Sequence, residues 1–94
     1  QVKSNNNIMN KEVIFRGVPF KGQFPLNANF KSEPGVYIIA DRKNKIADIG
    51  ETENLRERVA IKKKAGSYLW FYREPNLKNR IKIKNFISRS FQMA

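Results

Sequence analysis

The 94-residue chain contains neither cysteine nor histidine. Without cysteine there is no disulfide framework and no thiolate metal site, and without histidine no imidazole base, nucleophile or ligand. Ser-His-Asp hydrolases, cysteine proteases and zinc enzymes are thereby excluded. No apolar run approaches the ~20 residues of a membrane span, and the N-terminus has no apolar signal core. A soluble protein without a membrane partner is expected, cytoplasmic by default. Acidic residues are scarce as well: eight Asp and Glu stand against nineteen Lys and Arg, a formal net charge of +11.

The charge is unevenly placed. Residues 1–55 carry eight Lys/Arg against six Asp/Glu, and residues 56–94 carry eleven against two, so +9 of the excess lies in the C-terminal two-fifths. Such asymmetry points to a polyanionic partner, nucleic acid before an anionic membrane surface, because no strongly amphipathic helix with a clean apolar face accompanies the charge.

One domain is expected at this length. Residues 1–7 are polar, with three consecutive asparagines, and residues 1–10 read as a disordered segment or expression remnant, Met9 being a candidate natural start. From Lys11, Val13-Ile14-Phe15 leads through Gly17 to Val18-Pro19-Phe20, a short strand, a turn and a second extended piece. Phe24, Leu26 and Phe30, between Pro25 and Pro34, are expected to cap one end of the core. Tyr68-Leu69-Trp70-Phe71-Tyr72 is too aromatic for a loop and reads as a sheet strand broken by Glu74-Pro75-Asn76. A helix with a basic outer face is expected over 76–91, with Leu77, Ile81, Ile87 and Phe91, joined by Phe86 and Ile83, as its apolar stripe. The alternation in Arg80–Lys84 also admits a strand.

The densest information lies between residues 34 and 62. Gly35-Val36-Tyr37-Ile38-Ile39-Ala40 and Ile46-Ala47-Asp48-Ile49-Gly50 alternate about a polar turn, Asp41 to Lys45, as an antiparallel hairpin requires. A helix follows from near Thr52, with Thr52 as cap, Glu53 favourable at the positive end of the helix dipole, and Leu55, Val59 and Ile61 as inner face. Lys62-Lys63-Lys64 and Gly66 close it with cations and a glycine. Tyr37 and Arg58 are thereby expected to converge on one pocket.

This segment resembles the GIY-YIG nuclease family. Gly35-Val36-Tyr37 matches the first tripeptide, Asp48-Ile49-Gly50 sits where the second belongs, and Asn54-Leu55-Arg56-Glu57-Arg58 is similar to the helix carrying the family's arginine, eight positions after Gly50. The resemblance covers about a third of the chain. It implies an α+β fold, a small antiparallel sheet flanked by helices as an α/β sandwich, over residues 11–94. It also implies an endonuclease that hydrolyses nucleic-acid phosphodiester bonds, DNA before RNA, with Mg²⁺ or Mn²⁺. Tyr37 and Arg58 would be catalytic: the tyrosine helps activate water and the arginine contacts the phosphate. Arg56, Lys62, Lys63 and Lys64 would bind substrate beside Gly50, whose missing side chain permits close approach.

Departures from the pattern matter for the chemistry. Asp48 replaces the second-motif tyrosine, Glu51 stands where many members have lysine, and Lys62 where some have histidine. The family's distal metal-binding glutamate has no counterpart after residue 74, being replaced or lying beyond a truncated C-terminus. Glu74 and Asp48 are the candidate metal ligands left, in a region poor in the carboxylates that Mg²⁺ prefers. Two further readings stay open. One is a catalytically impaired domain acting as a basic nucleic-acid-binding module, with Tyr68, Trp70, Phe71 or Tyr72 stacking on bases. The other is an unrelated basic accessory protein of a ribonucleoprotein particle.

Overall fold

The computed structural model describes residues 12–43 and 45–92. Five strands form one antiparallel sheet: β1 (Glu12–Phe15), β2 (Val18–Pro25), β3 (Gly35–Ala40), β4 (Ile46–Thr52) and β5 (Tyr68–Arg73). Two helices accompany them, α1 (Leu55–Ile61) and α2 (Leu77–Gln92). The sheet order is β1-β2-β5-β3-β4, so β5 enters between the two hairpins and β4 forms one edge. This is the α+β fold expected from the sequence. The expectation for residues 1–10 lies outside the described residues.

The β1–β2 hairpin closes through Arg16 (φ 53) and Gly17 (φ 85). Two successive residues at positive φ match the right-handed twist of the flanking strands, and glycine takes that conformation without strain.

Every residue of β3 is buried, because both faces of this strand are covered. Tyr37 and Ile39, with Leu69 and Phe71 of β5, point to the side where Leu26, Leu55 and Val59 pack. Val36, Ile38 and Ala40, with Trp70 and Phe20, point to the other side, where Ile87 of α2 packs. The sheet is therefore a middle layer between α1 and α2. Each large apolar side chain so buried contributes roughly 1.5–3 kcal/mol.

α1 has seven residues, too few for a helix to persist alone in water. It is held by the burial of Leu55 and Val59 and by its N-cap, Asn54, whose side chain accepts from the Glu57 amide at 3.2 Å. The expected cap, Thr52, instead accepts from the Asn54 amide at 3.0 Å in the turn before the helix, so Glu53 precedes the cap. Ile61 is 76 % exposed rather than inward. Six positions beyond Leu55, at about 100° each, it has rotated off the buried face.

In α2, too, the stripe differs from expectation. Arg80, Ile83, Ile87 and Phe91 turn inward, whereas Leu77, Ile81 and Phe86 are exposed. The strand alternative for 80–84 is not adopted, those residues being helical throughout.

Candidate functional site

The period of two places Asp48 and Gly50 of β4 on the same face as Tyr37, and the register sets Gly50 directly opposite Tyr37 and Asp48 opposite Ile39. The Tyr37 ring leans across β4 through the space a side chain at position 50 would fill; a Cβ there would overlap the ring. Gly50 therefore admits the tyrosine, not a substrate backbone. Leaning this way, the Tyr37 hydroxyl donates to Asp48 Oδ2 at 3.3 Å. Lys62, just past α1, reaches the same oxygen with its Nζ at 3.1 Å.

Arg58 completes the group from the flank of α1 that faces β4. Burial holds the Tyr37 phenol above its ordinary pKa, and the neighbouring Asp48 carboxylate reinforces this; the charges of Arg58 and Lys62 oppose it. Tyr37 thus stays neutral near neutral pH. It is only 2 % exposed, whereas the side chains of Lys62 and Asp48 are 33 % and 26 % exposed. Solvent therefore meets Asp48 and Lys62 before Tyr37.

Among the described residues no carboxylate lies within ion-pair distance of Arg58. It lines a cleft of about 370 Å³ with Glu51, Glu53 and Glu57 on its other walls, and Tyr37 is not among the lining residues. The acidic walls disfavour an anion from that side. Lys62 stands at the C-terminus of α1, outside that cleft, and Lys63 and Lys64 follow it.

The other expected site residues lie elsewhere. Arg56 and Lys63 share a crevice of about 450 Å³ with Asn27 and Asn29 on the opposite flank of α1. Lys64 is exposed beyond the helix. Glu74 braces the start of α2: Asn76 is the cap, its Oδ1 accepting from the Asn79 amide at 3.1 Å, and Glu74 Oε2 accepts from the Asn76 amide at 3.1 Å and the Asn79 side chain at 3.4 Å. It sits one residue past the Gly35↔Arg73 end of the sheet, five strand positions from the level of Asp48, roughly 16 Å away along the strands. Asp48 and Glu74 do not share a site, and among the described residues no group of three metal-ligating side chains forms. One carboxylate, already bound to a lysine and a tyrosine, is a poor fit to a protein-held Mg²⁺. Trp70 and Phe71 are buried in the core and cannot stack on bases.

Sequence reasoning missed Arg80. Its side chain is 3 % exposed and donates from Nε to Glu51 Oε1 at 2.7 Å, while Nη1 donates to the carbonyls of Glu74 at 3.2 Å and Pro75 at 2.9 Å. Glu51, odd against the family pattern, thereby has a structural role on the α2 face. The signal was available: Arg80 lies seven residues before Ile87 and eleven before Phe91, on their face of the helix.

Compared with family models, curated proteins and solved structures, the chain gives no match in any of the three.

Proposed function

We propose that the α1 face of the sheet is a phosphodiester-binding site and that the chain is a nuclease-like domain of the GIY-YIG type acting on nucleic acid. The observation that carries this reading is Arg58, half-buried and without a carboxylate partner among the described residues, set beside a Tyr37–Asp48–Lys62 group. A half-buried guanidinium whose donors are not taken up by a carboxylate suits an incoming phosphate, which it can grip through two parallel bonds.

In this reading Arg58 and Lys62 hold the phosphate and neutralise charge as it develops. Asp48, freed as Lys62 turns to the phosphate, takes the proton of the attacking water. The new water–phosphorus bond forms as the bond to the leaving oxygen breaks, and that oxygen draws its proton from solvent. Tyr37 is a positioning residue, holding the carboxylate by its hydroxyl. The donor set does not fit a Mg²⁺ held by the protein alone, and no step here runs through one.

Labelled single- and double-stranded DNA and RNA, incubated with the protein with and without Mg²⁺ or Mn²⁺, test the proposal. Cleavage by the wild type that Arg58→Ala abolishes is the expected result. Binding without cleavage under every condition would favour the module that only binds, a reading supported by the engagement of Asp48 with Lys62 and of Glu74 with the α2 cap.

A further inference from the structure

Charge is segregated along the strand direction in a way that chain order hides. At the sheet end marked by Gly35, its partner Thr52 and its partner Arg73 stand Glu33, Glu51, Glu53 and Glu74, with Arg73 paired to Glu33 and Arg80 to Glu51. The opposite end is marked by Ala40 and its partners Ile46 and Tyr68. There the β3–β4 turn carries Arg42, Lys43 and Lys45. The tail of α1 brings Lys62, Lys63 and Lys64, tied to this end by the Ser67 amide donating to the Ala40 carbonyl at 2.8 Å. The second half of α2 adds Lys84 and Arg89, which share a groove with Ile46. Among the described residues only Lys62 of these cations has a carboxylate within ion-pair distance. Asp41, the other acid of this end, turns its Oδ1 to the amides of Lys43 and Lys45, at 2.8 and 2.9 Å.

Within this basic end lies a concavity of about 600 Å³ between the free edge of β4 and α2. Lys84, Asn85, Ser88 and Arg89 form one wall, and the β4 residues from Ile46 to Ile49 form the other. Asp48 belongs both to this groove and to the Tyr37 group. The groove and the α1-face site are thus two sides of one strand, joined at its edge.

We propose that this groove seats the backbone of one nucleic-acid strand, Lys84 and Arg89 taking phosphates and Asn85 and Ser88 hydrogen-bonding between them. The strand continues around the β4 edge, past Asp48, to Arg58 and Lys62. Charge complementarity selects the occupant: α2 contains no acidic residue, and two cations flank neutral hydrogen-bonding side chains along the groove. A membrane surface, being broad and flat, does not enter a cleft between a helix and a sheet edge. This inference rests on the nucleic-acid reading of the α1-face site.

The test is fluorescence anisotropy of labelled single-stranded and duplex DNA titrated with salt, on the wild type, on Lys84→Ala/Arg89→Ala and on Lys78→Ala/Lys82→Ala. The last pair removes the same charge from the same helix outside the groove. Each phosphate contact adds about 0.9 to the negative slope of log affinity against log salt on duplex DNA, and about 0.7 on a single strand. The groove variant is expected to lose about 1.8 or about 1.4 from these slopes, and the control to leave them unchanged. Unaltered thermal melting shows that each variant is folded, and Lys84→Gln/Arg89→Gln replaces the first variant should it fail to fold. Equal slopes for both doubles, with the wild type binding DNA, overturn the groove alone. Absence of wild-type binding at low ionic strength, or binding only to phosphatidylserine vesicles, overturns the α1-face reading together with the groove.

Discussion

Strand β4 carries two carboxylates three residues apart on opposite faces, and each meets a cation from a neighbouring helical segment. On the α2 face, Glu51 meets Arg80 at 2.7 Å, with the arginine side chain 3 % exposed and two backbone carbonyls taking further donors. On the α1 face, Asp48 meets Lys62 at 3.1 Å, with the lysine 33 % exposed, Tyr37 on the same oxygen and Arg58 alongside. The ingredients are alike and the accounting differs. Around Arg80 charge and hydrogen-bonding capacity are spent within the protein, which fixes α2 to the sheet. Around Asp48 there are more cations than carboxylates, and in the proposed function that surplus is what meets the phosphate.

The comparison is broken most forcefully by removing each arginine. Arg80→Ala leaves Glu51 without its partner and two carbonyls without a donor; with Glu51 itself 27 % exposed, losing these charge-assisted bonds costs about 1.5–3 kcal/mol, to be read from denaturant melts. Arg58→Ala should leave the melt almost unchanged and lower any cleavage rate by about 10²- to 10³-fold, the cost of deleting one preorganised electrostatic donor. A reversal of these outcomes would assign the structural and functional roles the other way round.

Gly50→Ala comes next. The added methyl meets the Tyr37 ring, and forced overpacking of this kind costs about 1–3 kcal/mol. The displaced ring also loses Asp48, so cleavage should fall further than Tyr37→Phe alone would cause.

How much of this was legible in the sequence follows from what is local. Period-two alternation located the β3–β4 hairpin, the turn at Gly17 separated two extended pieces that became β1 and β2, and the aromatic run marked β5, because burial on a pleated strand and tight turns leave local traces. The insertion of β5 between β2 and β3 left none, since strand order depends on pairing between distant segments. Tyr37 and Arg58 were singled out, yet the Tyr37–Asp48–Lys62 contact was not, although parity along β4 places Asp48 on the tyrosine's face. α2 misled for a different reason: its exposed Leu77, Ile81 and Phe86 outweigh the inward positions by eye, and one inward position is an arginine.

Asp48→Asn sharpens the comparison without disturbing the core. Removing the carboxylate takes away one cause of the raised Tyr37 pKa, so the phenol should ionise at lower pH than in the wild type, as followed by ultraviolet absorbance. The linked stability has a definite sign: a phenol whose folded pKa is raised contributes stability that is present below its unfolded value of about 10 and is lost as pH climbs through the folded value. Alkaline unfolding should therefore depend less on pH in the variant. The smallest effect is expected at the surface, where Asp41→Ala frees the turn amides and should speed hydrogen exchange at Lys43 and Lys45 while leaving the melt nearly unchanged.

The central claim, that the open cation cluster on the α1 face receives a nucleic-acid phosphate, is tested most directly by salt-dependent binding of labelled DNA to the wild type and to Arg58→Ala/Lys62→Ala. Two lost phosphate contacts should reduce the negative salt slope on duplex DNA by about 1.8 with the fold retained. An unchanged slope, with the wild type still binding, would contradict the account.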